Sequence, residues 1–388
     1  MTGAAASESV EAGPAYGRLS VLSWAHFLND GAANYLPGIL PAILMQMGLS
    51  VSLAGVLMGA LVMGQGLQPL TGLLADRVGG RSFTIAGLGV GSVAAAMVAF
   101  TPDLITLAFA LVVLGTANSF FHPQTLAAVR HSSGERHGMG MAVFMIGGEV
   151  GRGVWPLAAS LLVTAAGLGS IWILGLPGLL TLPFLWRATI SLPPRARGAA
   201  KVEWHAHMKP LSILVLFSGL RGVLLYAVTA YVPVLWNQRG GSLAGGAAFL
   251  TTLMIVGLIG NMTGGHLGDR GGRRRVIAIG MVITILGMIA FMLVDGIWMW
   301  ILIAIVGIGL FATFPLTILI AQDIVPENRS FGSGMALGLA NALGALGVMA
   351  LGPVAGAWGV PAVLWASIVI GALSMPLLWF LPEKHYGA

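Results

Sequence analysis

The sequence predicts an all-α polytopic membrane protein of twelve transmembrane helices in two pseudo-symmetric six-helix halves. Three observations carry this prediction. Only 8% of the 388 residues are charged, 57% are hydrophobic and mean hydropathy is +0.91. A soluble domain carries roughly 25% charge, so this chain lacks the polar surface of a soluble globule. Apolar runs reach about twenty residues, the length that crosses a hydrocarbon core as a helix, and not the short alternating stretches of a membrane β-barrel. The chain also repeats itself. Gly72-Leu-Leu-Ala-Asp76-Arg77-Val-Gly79-Gly80-Arg81 returns as Gly265-His-Leu-Gly-Asp269-Arg270-Gly-Gly272-Arg273-Arg274, an offset of 193. Phe121-His122-Pro123 echoes in Phe314-Pro315 at 192, and Tyr35-Leu-Pro37 in Tyr231-Val-Pro233 at 196. Three matches at nearly one offset indicate two halves in parallel relation.

The spans follow in order. The first, 21–45, carries His26, Asp30 and the Tyr35-Leu-Pro37 echo. The second, 52–74, runs into the first copy of the repeated loop, and the third covers 83–101. The fourth, 104–129, holds His122-Pro123. The fifth, 139–166, is crowded by Gly147, Gly148, Gly151 and Gly153, small residues that permit close helix contact. The sixth, 170–192, has Trp186 near its end as an interfacial anchor. The longest hydrophilic stretch, 193–209, reads as a solvated linker; its His205 and His207 have no companions for a metal site. The seventh span, 211–236, carries Arg221, Tyr226, Tyr231 and Trp236, and the eighth, 244–266, enters the second loop copy. The ninth, 276–294, is an unbroken apolar run, and the tenth, 297–321, opens on the anchors Trp298 and Trp300. The eleventh, 332–357, contains Gly344, Gly347, Gly352, Pro353 and Gly356, and the twelfth is 361–381. The expected division is an N-terminal tail at 1–20, a bundle at 21–192, a linker at 193–210, a second bundle at 211–382 and a tail at 383–388.

Charge placement sets the expected orientation. Of 19 Lys and Arg, 16 fall on the side that holds both termini; Arg239 alone lies opposite, and Arg152 and Arg221 lie inside spans. Positive residues stay in the cytoplasm, so both termini are expected there, in the plasma or inner membrane of a bacterial or archaeal cell. The same asymmetry explains the net charge of +6 without nucleic acid. Residues 1–17 have no basic leader and read as a tail, not a cleaved signal. The absence of cysteine excludes disulfides and thiolate chemistry. No Gly-x-x-x-x-Gly-Lys-Ser/Thr loop and no His-Glu-x-x-His pair is present, so neither an ATP-driven pump nor an intramembrane metalloenzyme is indicated, and no cofactor or metal is expected.

The Gly-x-Leu-Ala-Asp-Arg-x-Gly-x-Arg loop, at its place between the second and third spans, resembles the signature of the major facilitator superfamily. That resemblance implies the major facilitator fold, a secondary transporter, and a cytoplasmic gate built from Gly72, Asp76, Arg77, Arg81, Asp269, Arg270 and Arg273. His26-Phe-Leu-Asn29-Asp30, Ser119-Phe-Phe-His122-Pro123, the run Arg130–Gly138 and Gly147-Gly148 are similar to the fosmidomycin-resistance branch. This implies proton-driven efflux of a small anionic phosphonate or related drug. Proton-coupled uptake of an organic anion remains the alternative.

Ionisable groups inside a bilayer are costly, so each is a functional candidate. The spans hold His26, Asp30, His122, Glu149, Arg152 and Arg221. His26 and Asp30, four apart, share a helix face. Glu149 and Arg152, three apart, read either as an intrahelical pair or as proton carrier and substrate cation. His122 before Pro123 reads either as a relay or as a core histidine at a kink. Two arginines favour an anionic substrate, because a guanidinium fork binds carboxylate or phosphonate bidentately. The expected substrate residues are His26, Tyr35, His122, Arg152, Arg221 and Tyr226, and the expected proton carriers are Asp30, Glu149 and His26. The expected partners are a small anion, protons and the lipid bilayer, with the protein working as a monomer.

Overall fold

The computed structural model describes residues 15–78, 81–134, 136–189, 204–326 and 329–382. Twelve membrane-length helical segments follow one another, with no strand among the described residues. Segment α1 covers 16–46 and breaks at Ala33–Tyr35 between Tyr16–Ala32 and Leu36–Gln46. Segment α2 covers 53–78 and breaks at Gly66–Leu67. Then come α3 (Ser82–Phe100), α4 (Leu104–Ser132), α5 (His137–Ala166) and α6 (Leu168–Ala188). The second half holds α7 (Trp204–Gln238), α8 (Leu243–Gly271), α9 (Arg273–Leu293), α10 (Ile297–Ile324), α11 (329–358) and α12 (Val360–Phe380). Among the described residues ten segments are long and apolar enough to cross a membrane; the other two, α1 and α5, hold the buried carboxylates.

One expectation about this architecture changes. Segment α7 begins at Trp204, so residues 204–210, read as linker, are its first turns. Arg221, at the eleventh position of the span expected at 211–236, therefore lies in the middle of α7. The stretch 190–203 lies outside the described residues.

The halves repeat in contacts as well as in sequence. Segment α1 packs chiefly on α5, and α7 on α11; α4 lies against α2 and α3, and α10 against α8 and α9. The glycines expected to allow close contact do so. A Cβ on Gly147 or Gly151 would strike the backbone carbonyls of Ser23 or Phe27 on α1, and one on Gly344 would lie 2.8 Å from the Gly222 backbone on α7. Gly167 and Gly359, 192 apart, take φ of +76° and +82° where α5 and α11 turn into the next segment. Arg81 Nη1 donates to the Trp186 carbonyl at 2.9 Å, and 193 residues later Arg274 Nη2 donates to the Trp379 carbonyl at 2.9 Å. The halves meet along α5–α8 and α2–α11, two seams that the pseudo-two-fold exchanges.

Candidate functional site

Segments α1, α4 and α5 converge on Asp30, which is 2% exposed. Its Oδ2 accepts from Arg152 Nε at 2.9 Å and lies 2.8 Å from Arg152 Nη2. Its Oδ1 accepts from Asn29 Nδ2 at 3.1 Å and Asn118 Nδ2 at 3.2 Å. His122 Nε2 lies 3.2 Å from Oδ1. His26 Nε2 lies 3.2 Å from Oδ2, at ion-pair distance without hydrogen-bond alignment. Arg152 Nη1 reaches Glu149 Oε1 at 3.3 Å, so the intrahelical pair and the pair with Asp30 exist at once.

The local sequence explains the convergence. His26 reaches its place because Gly148 leaves room for the imidazole, which stacks on Phe144 at 4.0 Å. Pro123 has no N–H to offer the Ser119 carbonyl one turn back, and Thr71 of α2 donates to that carbonyl instead at 2.8 Å. Both imidazoles are fixed through Nδ1: His26 to the Phe144 carbonyl at 2.8 Å and His122 to the Asn118 carbonyl at 3.0 Å. A carbonyl only accepts, so each Nδ1 carries hydrogen. The other ring nitrogen, Nε2, faces Asp30 in both cases, that of His122 toward Oδ1 and that of His26, out of hydrogen-bond alignment, toward Oδ2. The donor atoms of His26, Asp30 and His122 lie within 4.8 Å of one another, a spacing that suits a cation, and the guanidinium of Arg152 is the cation seated against the carboxylate.

The other half offers the opposite charge. Arg221 on α7 is 2% exposed. Its Nη1 donates to Thr313 Oγ1 at 2.6 Å, and its guanidinium lies 4.0 Å from the Phe314 ring centroid. Its Nε has no hydrogen-bond partner, and no carboxylate pairs with it among the described residues. A desolvated cation–π contact contributes about 2 kcal/mol, whereas a buried ion's desolvation costs several. The cation is under-compensated. Phe314 stands 192 positions after His122, so equivalent places hold an imidazole facing an acid in one half and a phenyl facing a base in the other. Tyr226 follows Arg221 by five positions on α7.

The sequence matches the Major Facilitator Superfamily over residues 22–337 and 225–387. The chain belongs to the major facilitator superfamily. It is 27% identical over 410 aligned positions to the fosmidomycin resistance protein of Escherichia coli (strain K12), covering 100% of this chain and 97% of that protein. It is 25% identical over 386 positions to the uncharacterized MFS-type transporter YfnC of Bacillus subtilis (strain 168), covering 95% and 94%. A crystal structure of a bacterial homolog of the human lysosomal transporter Spinster superposes with a TM-score of 0.78 at 18% identity, covering 93% of this chain and 95% of that one. This is a transporter of the superfamily and not an enzyme.

The remaining sequence-predicted residues are placed unevenly. His26, Asp30, His122, Glu149 and Arg152 come together; Arg221 and Tyr226 stand in the other half. Tyr35 does not join them. It is fully buried and donates to the Ala95 carbonyl of α3 at 2.9 Å, because the break in α1 turns its ring into the bundle. Tyr231 closes a seam between the halves: its hydroxyl accepts from the Gly55 amide at 3.1 Å. Trp300 is no lipid anchor, since it stacks on Phe249 at 4.1 Å. Of the loop residues, Gly72 sits 3.7 Å in Cβ terms from Pro123, Asp269 and Arg270 are exposed, and Arg273 pairs with Asp323 at 2.6 Å. The side chains of Asp76 and Arg77, with Gly79 and Gly80, lie outside the described residues. Sequence reading missed Asn118, Thr313 and Asp323. Asn118 precedes His122 by four residues on one helix, and that spacing was the available signal.

Proposed function

We propose that this chain is a proton-coupled secondary active transporter that exports a small organic anion or drug of phosphonate or carboxylate type by alternating access. The observation that carries the reading is Arg221: a buried cation without a carboxylate partner among the described residues, in the half opposite the Asp30 carboxylate cluster. An anion supplies the missing charge, and Asp30 and Glu149, with His26 and His122, supply the proton sites. The full-length likeness to a fosmidomycin resistance protein supports export and the phosphonate class. In this reading the arginine-rich face and both termini are cytoplasmic, the loops at Gly72–Arg81 and Gly265–Arg274 form the gate, and the unit is a monomer of two bundles joined by the polar stretch that precedes α7. Proton-coupled uptake is the second reading. It is favoured by the Asp30–Arg152 pair, since a proton on Asp30 would free Arg152 for an anion and the two would then bind together.

Expression in a fosmidomycin-sensitive bacterium tests the proposal. The wild type raises the inhibitory concentration of the drug, and Asp30→Asn and Glu149→Gln, present in the membrane at equal amounts, lose most of that gain. If both variants keep full proton-coupled transport, the carboxylate assignment is wrong. If cells accumulate the drug instead of excluding it, uptake replaces export.

A further inference from the structure

His26, Asp30 and His122 bring together two imidazoles and a carboxylate, the donor set of a transition-metal site. His26 and Asp30 are one helical turn apart on α1, and the fold adds His122 from α4. One donor atom from each lies within 4.8 Å of the other two. The Nε2 atoms of His26 and His122 each stand 3.2 Å from an Asp30 oxygen. An ion held tetrahedrally by bonds of about 2.0–2.1 Å keeps its ligands about 3.3 Å apart, so two of the three spacings already match. Each Nδ1 is committed to a backbone carbonyl, that of Phe144 at 2.8 Å or of Asn118 at 3.0 Å. Such an outer bond orients metal-binding imidazoles, and it leaves the Nε2 lone pair of a neutral ring for the ion. A second observation marks a missing partner. The His26 side chain is 1% exposed, yet its Nε2 has no hydrogen bond. Buried polar atoms are normally satisfied.

We propose that His26, Asp30 and His122 form a binding site for Zn²⁺ or a like divalent transition metal, which pins α1 to α4. Imidazole nitrogens select such ions over Mg²⁺ and Ca²⁺, which take oxygen ligands. Three protein ligands leave a fourth position for water. The site goes beyond the transport reading and stands without it. Its consequence for transport rests on that reading: an ion here occupies the groups assigned to carry protons, so zinc stops export.

Charge and access suit an ion. With both carboxylates ionised and both imidazoles neutral, Asp30, Glu149 and Arg152 leave the cluster one negative charge in excess. Inside a bilayer such an excess calls for a cation. Arg152 competes for Asp30 without closing the site. Its Nε and Nη2 bond Oδ2, while its Nη1 reaches Glu149 on the same helix at 3.3 Å, so it keeps an anionic partner when a metal takes Asp30. The two groups with access are Arg152, 31% exposed, and the ligand His122, 14% exposed, whereas Asp30 and His26 lie deeper. The ion therefore enters past the arginine and meets His122 first.

The test titrates the purified full chain in nanodiscs, its purification tag removed, with Zn²⁺ in a calorimeter. The wild type should bind one ion, and excess Mg²⁺ should not displace it. His122→Gln and Asp30→Asn should each weaken binding by at least the roughly 10–100-fold that outer-shell partners are worth. Arg152→Gln, which removes the competing cation, should bind zinc about tenfold more tightly or better, a gain that misfolding does not imitate. X-ray absorption at the zinc edge of the wild type should show two imidazoles and a carboxylate, with no variant needed. His205 and His207, at the start of α7, are the rival location, and replacing both by alanine should leave the affinity unchanged. If His122→Gln and Asp30→Asn bind zinc like the wild type, or if binding disappears with His205 and His207, the site is wrong. If zinc binds as expected while proton-driven fosmidomycin flux in proteoliposomes continues with the site filled, the metal site stands and the proton-carrier assignment of Asp30 and the two histidines falls.

Discussion

Arg221 is the residue whose cost and use are most directly opposed. Its side chain is buried in the membrane-spanning part of α7, held by one threonine and one ring, with Nε unpartnered. Replacing a poorly compensated buried charge by an apolar group of similar volume is often neutral or stabilising by about 1–4 kcal/mol. Arg221→Met should therefore melt at the same temperature as the ligand-free wild type or higher, while losing anion binding and drug resistance. A marked drop in the melting temperature would mean that the arginine is structural. At this scale the sequence was informative because membrane ionisable residues are rare. Asp30, His26, His122, Glu149 and Arg152 were found by that rarity, and the structure brings them together. Neutral partners were not legible in the same way: Asn118 and Thr313 are unremarkable by composition, and only their geometry marks them. Tyr35 stands apart from the cluster because it lies in a backbone break, invisible as periodicity, and its hydroxyl bonds the Ala95 carbonyl.

Helices here start and stop for reasons that can be tested outside the bilayer core. Asp103 caps α4: its carboxylate accepts from the backbone N–H groups of Thr106 and Ile105, both at 2.9 Å. The Thr106 backbone bond is the main cause holding its carboxyl below the usual value of 3.8, with the Thr106 hydroxyl and the Ile105 amide adding to it. A depressed folded value means that the stabilisation is present above the unfolded value and disappears as pH falls through the folded one. Asp103→Ala should thus melt below wild type at neutral pH, and the gap should close under acid conditions below 3.8. Asp103→Asn, which keeps an accepting oxygen, should stay near wild type at neutral pH. Equal melting of Asp103→Ala and wild type at neutral pH would remove the cap from the account. Segment positions were legible from hydropathy, but their ends were not. The start of α7 lies in polar sequence that continues as helix, and the breaks in α1 and α2 keep their hydrophobic character on both sides.

The whole molecule depends on whether the α2–α11 seam opens at alternate ends. The repeat was legible at the level of the chain because equal halves keep equal loops, and it predicts that the two ends of this seam must part in turn. In the present conformation both ends touch. At the end away from the arginine-rich loops, a Cβ on Gly356 would lie 3.5 Å from the Ser52 Cβ. At the arginine-rich end, a Cβ on Gly334 would lie 3.4 Å from the Pro69 Cβ. A disulfide needs Cβ atoms about 3.5–4.5 Å apart, and the chain contains no native cysteine to compete. Ser52→Cys with Gly356→Cys, and separately Pro69→Cys with Gly334→Cys, should each cross-link on oxidation. Alternating access requires each end to open once per cycle, so either bond alone should stop phosphonate flux in proteoliposomes, and reduction should restore it. A rocking-bundle carrier has no route around either lock. A channel-like path through the halves would keep conducting with one end tied, and full flux in either oxidised variant would replace the carrier mechanism with such a path.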